Sequence, residues 1–166
     1  VSPQSPVTID STSDYNYIST MEDVTCAITT SGTLKCWGSN SDGLIGQGTS
    51  GGTFSSPTVV DSGTSFIKVD VGWRHVCAIT SSNQLKCWGR NTNGQIGNGS
   101  TTGPITSPTL IDSGNTYQDI SLGLLHTCAV RSDGDLYCWG NNSQGDLGDG
   151  TTTQRTSPTL IQSNFF

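Results

Sequence analysis

Gly72-Trp73-Arg74-His75-Val76-Cys77-Ala78-Ile79-Thr80-Ser81-Ser82-Asn83-Gln84-Leu85-Lys86-Cys87-Trp88-Gly89 is the stretch on which the reading of this chain turns. Its arms, Cys77-Ala78-Ile79 and Leu85-Lys86-Cys87, alternate apolar and polar residues on either side of Ser82-Asn83, a pair that suits positive φ in a tight turn. The pattern predicts a β-hairpin with its two cysteines facing each other. The hairpin is repeated: Cys26, Cys77 and Cys128 stand 51 residues apart, Cys36, Cys87 and Cys138 keep the same spacing, and Trp37, Trp88 and Trp139 follow it. The other turns are Ser31-Gly32 and Asp133-Gly134. A fixed period of this length marks a supersecondary unit stacked on its neighbours.

Six cysteines permit many pairings, but one repeated spacing selects Cys26–Cys36, Cys77–Cys87 and Cys128–Cys138. Loops this short stabilise by roughly 2–3 kcal/mol each on the chain-entropy argument. Reduced, buried cysteines acting as small apolar side chains are the alternative. Zinc fits poorly, because the spacing within a pair is too long for a metal knuckle and His75 and His126 are the only histidines.

Working outward, each hairpin is followed by a glycine run: Gly43, Gly46 and Gly48, then Gly94, Gly97 and Gly99, then Gly145, Gly148 and Gly150. Single aliphatic residues, Ile45, Ile96 and Leu147, sit inside the runs, which read as tight backbone turns rather than chemistry. A variable loop leads to Ser56-Pro57-Thr58, Ser107-Pro108-Thr109 or Ser157-Pro158-Thr159, each read as a short strand with proline in its first residues. Ser5-Pro6-Val7-Thr8-Ile9 repeats that signature near the start, and Ser157 to Ile161 is read as beginning a further repeat that stops at Phe165-Phe166. The expected class is all-β.

The pattern Gly-x-x-His-x-x-Ala, then Trp-Gly-x-Asn-x-x-Gly-Gln-aliphatic-Gly-x-Gly, then Pro runs in full from Gly72 to Pro108. It resembles the regulator of chromosome condensation (RCC1) repeat. The resemblance spans nearly the whole chain and implies three β-propeller blades of four antiparallel strands, with repeats at about 5–55, 56–106 and 107–156 in one domain over 1–166 and a partial fourth strand over 157–166. The first copy departs from the pattern, with Met21-Glu22-Asp23-Val24 in place of Gly-x-x-His. Family propellers close with about seven blades. Three blades leave an apolar face open at each end, so a longer chain, a dimer giving six blades, or a trimer is expected to complete the ring.

The formal net charge is −6, the pI about 4.4 and only 12% of residues are charged. Such a surface repels phosphate backbones and anionic lipid, so neither nucleic acid nor membrane insertion is expected. No apolar run approaches the roughly 20 residues of a membrane span. Val1-Ser2-Pro3-Gln4 lacks the features of a signal peptide, which suggests a processed or excised segment. The paired cysteines place the chain in an oxidising compartment and mark it as a secreted or cell-surface, bacterial-type member of the family it resembles.

Catalytic patterns are thin. Gly48-Thr49-Ser50-Gly51-Gly52 matches a nucleophile elbow without the strand and helix that motif needs. Glu22 is the sole glutamate, Asp146 and Asp149 only faintly suggest a calcium loop, and His75 and His126 recur with their scaffold as structural residues would. Asn98-Gly99-Ser100 and Asn141-Asn142-Ser143 are glycosylation sequons of the kind an Asn/Ser-rich chain produces by chance. Neither an enzyme, a cofactor nor a metal is expected. The informative positions are those where the repeat frame is constant and the side chain changes: Trp73, Arg74, Leu124 and Leu125 before the histidine position, Phe54, Ile105 and Arg155 before the Ser-Pro strands, and Arg90 beside its hairpin. They are the candidate binding residues for a recognition or adhesion module that binds a surface protein or glycan of another cell. A secreted enzyme inhibitor is the alternative, and the family's nucleotide-exchange role is disfavoured by the cysteine pairs.

Overall fold

The computed structural model describes residue 8 and residues 10–164. Three four-stranded antiparallel sheets follow one another along the chain. The first holds β1 (Tyr15–Met21), β2 (Val24–Thr29), β3 (Leu34–Ser39) and β4 (Thr53–Val59). The second holds β5 (Phe66–Val71), β6 (His75–Thr80), β7 (Leu85–Gly89) and β8 (Ile105–Ile111). The third holds β9 (Tyr117–Leu122), β10 (His126–Arg131), β11 (Leu136–Gly140) and β12 (Arg155–Gln162). Within each sheet the strands lie in sequence order, so each is a meander.

The hairpin register follows from turn chemistry. Gly32 and Gly134 take positive φ at the β2–β3 and β10–β11 turns, and Asn83 does so at φ 62° in the second copy, a conformation asparagine tolerates. The register then sets Cys26 opposite Cys36, Cys77 opposite Cys87 and Cys128 opposite Cys138, and disulfides join them with Cα atoms 4.1 Å apart. The Ser-Pro segments lie in the outer strands β4, β8 and β12. Pro57, Pro108 and Pro158 sit inside these edge strands rather than at their first residues, beside register irregularities where a missing N–H is harmless. Ser157 to Ile161 closes the third sheet in β12 instead of opening another repeat. The Ser5–Ile9 signature and Phe165-Phe166 lie outside the described residues.

Blades pack through an apolar seam. Cys77, Ile79, Leu85 and Cys87 of the second blade meet Ile120, Ala129 and Trp139 of the third, and Cys26, Ile28, Leu34 and Cys36 of the first meet Val69, Ala78 and Trp88 of the second. The disulfides are thus part of the surface on which the next blade rests. Directional hydrogen bonds repeat across both seams. Trp88 Nε1 donates to the Leu44 carbonyl at 2.8 Å and Trp139 Nε1 to that of Gln95 at 2.9 Å. Gly48 N donates to the Thr106 carbonyl and Gly99 N to that of Thr156. A Cβ on Gly97 would lie 2.5 Å from Trp139 Nε1, so this glycine is required by the close approach of the following blade.

The inner strands β1, β5 and β9 are tied by Asp70, whose carboxylate accepts from Ser19 Oγ at 2.9 Å and from Leu122 N at 2.8 Å, and by the Lys68–Asp119 ion pair. His75 is fully buried between the second and third blades, with Nε2 2.8 Å from Thr127 Oγ1. That hydroxyl gives its single hydrogen to the Gln95 carbonyl, so His75 Nε2 must be the donor and Nδ1 is unprotonated.

Candidate functional site

The pairings Val24↔Gly38↔Phe54, His75↔Gly89↔Ile105 and His126↔Gly140↔Arg155 place the start of each blade's second strand, the end of its third and the start of its fourth side by side. All eight candidate binding residues therefore fall at one end of the stack. The β1–β2, β5–β6 and β9–β10 corners and the long loops after β3, β7 and β11 lie at this end, whereas the hairpin tips and inter-blade links lie at the other. Rigid strands holding variable corners and loops at one rim is the arrangement of a recognition surface.

Three successive corners differ in chemistry. The first carries exposed Glu22 and Asp23, the second Trp73 and Arg74, and the third Leu124 and Leu125. Leu124 is 63% exposed and Leu125 half-buried. A notch lined by Glu22, Asp23, Val24, Ser39 and Leu44 adjoins Trp73 and Arg74, which makes the first two corners continuous. The guanidinium of Arg74 lies 5.2 Å from the Trp73 ring centroid and that of Arg90 5.9 Å, within cation–π range. Arg74 is steadied by Ser41 Oγ, to which Nη1 donates at 2.7 Å, while its contact with Asp42 is longer, 3.8 Å. Arg90 donates from Nε to Thr92 Oγ1 at 3.0 Å.

The remaining candidates are engaged inside the protein. Phe54 packs against the first apolar cluster and Ile105 against both clusters. Arg155 donates from Nε and Nη2 to Asp149 Oδ2 at 2.8 and 2.6 Å. Hydrogen bonds from Thr151 and then from Arg155 hold the Asp149 carboxyl well below the usual carboxylate range. The structure therefore brings Trp73, Arg74 and Arg90 together and uses Phe54, Ile105 and Arg155 largely for packing or ion pairing.

Three asparagines without a catalytic signature in the sequence shape this rim. Asn40, Asn91 and Asn142 are fully buried. Asn91 Nδ2 donates to Asn98 Oδ1, Ser100 O and Thr102 O at 3.0–3.1 Å, and its Oδ1 accepts from Ile96 N. Each therefore folds its long loop around one side chain. Their signal was the constant Asn of Trp-Gly-x-Asn, visible as a motif but without an assigned role. Among the described residues no cluster of histidine, cysteine and carboxylate side chains could hold a metal, and no helix is long and apolar enough to cross a membrane.

Several known proteins share this architecture. The human E3 ubiquitin-protein ligase HERC2 is 31% identical over 83% of this chain, which spans 3% of HERC2. RUG3 of Arabidopsis thaliana, a mitochondrial RCC1 domain-containing protein, is 33% identical over 83% of this chain and 33% of its own length. The crystal structure of Saccharomyces cerevisiae Prp20p, characterised with its binding to Gsp1p and histones, superposes with a TM-score of 0.79 at 21% identity, covering 90% of this chain and 38% of Prp20p. The chain thus spans less than two-fifths of each.

These relatives correct four expectations. Neither a secreted or cell-surface location nor a bacterial-type secreted subgroup is supported by the relatives, among which RUG3 is mitochondrial and HERC2 is a ubiquitin-protein ligase. The partner expected, a surface protein or glycan of another cell, falls for the same reason, and with it the adhesion and carbohydrate-binding role and the secreted-inhibitor alternative. The expectation that the chain stands apart from enzymes is also overturned, because the repeats recur in a ubiquitin ligase. The disulfides themselves follow from hairpin register, which sets the two cysteines of each copy opposite each other.

The sequence model of the regulator of chromosome condensation (RCC1) repeat matches residues 23–44, 66–95 and 117–146, and a second model of that repeat matches 84–130 and 133–165. Matched over more than half its length, and built as three four-stranded blades, the chain belongs to the RCC1 repeat family.

Proposed function

We propose that this chain is a stretch of an RCC1-type propeller that serves as a protein–protein interaction module, its partner docking on the rim that carries the three corners. The observation behind this reading is the register, which collects Trp73, Arg74, Arg90, Leu124 and Leu125 at one end of a frame whose other repeated residues are committed to turns and seams. The binding of Prp20p to Gsp1p and histones and the ligase identity of HERC2 give the module two settings, a partner-binding protein and a substrate-handling enzyme.

Further blades complete the ring in this reading. His126 is only half-buried and its ring makes no hydrogen bond among the described residues, whereas His75 is sealed against Thr127. A Cβ on Gly145 or Gly148 would meet nothing closer than 3.8 Å, where Gly94 and Gly97 abut the next blade. Ile18 on the first blade is 65% exposed. Copies of the chain could meet these faces, but the greater length of the relatives favours a longer chain.

Site-specific photo-crosslinking in the source cells tests the docking surface. A photoreactive residue in place of Leu124 should give a discrete protein adduct, and one in place of Ser82, at the hairpin end, should not. Equal adducts at both ends, or none at Leu124, would overturn the proposal.

A further inference from the structure

Among the described residues, all but one of the Lys and Arg side chains lie beside a carboxylate. Of seven Lys and Arg residues, Lys35, Lys68, Lys86, Arg131 and Arg155 each lie within 2.5–2.6 Å of a carboxylate oxygen, and Arg74 reaches Asp42 only at 3.8 Å. Arg90 alone has no carboxylate partner among the described residues. Both exceptions lie over Trp73. On a protein of net charge −6, the loosely paired positive charge is thus confined to one aromatic-backed spot on the proposed docking rim.

From this juxtaposition we infer that the Trp73–Arg74–Arg90 cluster is the docking point for an acidic segment of a protein partner, one that places a carboxylate against the guanidiniums and an apolar side chain against Leu124. The inference rests on the docking reading above and adds the partner's chemistry. A guanidinium that already has a carboxylate gains little from a second, whereas Arg90, engaged only through Nε by Thr92 Oγ1, can donate a forked pair from its terminal Nη groups. The indole face behind it supplies contact area at low entropic cost, the combination found at interface hot spots. Polarity along the rim fixes the orientation. Glu22 and Asp23 on the preceding corner repel a carboxylate, so the acidic part of the segment is steered to the second corner and its apolar part toward the third.

Fluorescence anisotropy with a labelled, end-blocked decapeptide rich in glutamate and leucine, titrated with the 166-residue chain, tests this chemistry. Saturable binding should weaken at least about threefold between 50 and 200 mM salt, as expected for a partly exposed charge pair. It should be weakened at least about fivefold by Arg90→Gln and largely kept by Arg90→Lys. Lys86→Gln, which removes the same charge at the hairpin end, should leave it unchanged. The glutamine counterpart of the peptide should fail to bind. Equal binding of that counterpart, indifference to Arg90→Gln, or absence of saturable binding would each overturn the inference. If these results arose while the Leu124 photo-adduct still formed, the docking surface would stand and only the acidic chemistry would fall.

Discussion

Lowering the pH from 7 to 5 should destabilise this fold by about 2 kcal/mol through one imidazole, that of His75. The ring is fully buried, and burial, reinforced by the neighbouring His126, pushes its pKa down to about 3. In the unfolded chain it returns to about 6.5. Between these values the unfolded state binds a proton that the folded state refuses, so stability is complete above about pH 6.5 and declines as the pH falls toward 3. At pH 5 the unfolded form is favoured by about one and a half pKa units, each about 1.4 kcal/mol, which gives the stated loss. Carboxylates held low in the fold, Asp112 and Asp149, add their own acid sensitivity only as the pH approaches their unfolded value near 3.8. Urea denaturation at pH 7, 6 and 5 isolates the histidine. His75→Gln, whose amide can still donate to Thr127 Oγ1, should flatten the slope across that range. A native protein equally stable at pH 7 and 5, or an undiminished slope in the variant, would refute the reasoning.

Asn91→Ala should cost about 2–4 kcal/mol in urea unfolding, since the buried Ile96 N–H and the Ser100 and Thr102 carbonyls lose their partner together. Asn91→Asp, which turns a carboxylate oxygen toward the Asn98, Ser100 and Thr102 oxygens that Nδ2 serves, should cost at least as much as the alanine variant. Gly97→Ala should be far more damaging than Gly148→Ala: both have positive φ, but only at Gly97 does the new methyl strike Trp139. Melting temperatures of the two variants would separate these costs, and similar values would argue against the seam geometry.

Repetition made most of the fold legible. Cysteines, tryptophans and glycines at one spacing specify hairpins and turns whose geometry is local, and the predicted hairpins agree with the observed ones at Cys77–Cys87 and its two equivalents. What the pattern could not reveal were properties decided across seams. Phe54 and Ile105 vary between copies as free surface residues do, yet both pack against the buried apolar clusters. Arg155 has the same appearance in sequence, but Asp149 six residues earlier captures it once the loop closes. Pro57 was placed at a strand start because proline cannot donate, whereas the edge position and bulge of β4 satisfy that restriction within the strand. The compartment expected from the cysteine pairs is corrected only by the relatives, among which RUG3 is mitochondrial.

In the proposed docking, the seams let a partner meet three corners as one surface. The second and third blades each grip their predecessor with a tryptophan indole, while the predecessor's glycine N–H donates forward to them, so bonds in both directions fix the spacing and rotation of each seam. Asp70 locks the inner strands of all three blades with a single carboxylate. The corners at 22–23, 73–74 and 124–125 closely follow those locked strands. Their sequence acid, cation, apolar is therefore presented in a constant geometry, and little conformational entropy is lost when a complementary segment binds. Changing a corner alters what is recognised, and changing a seam alters whether the corners remain in register.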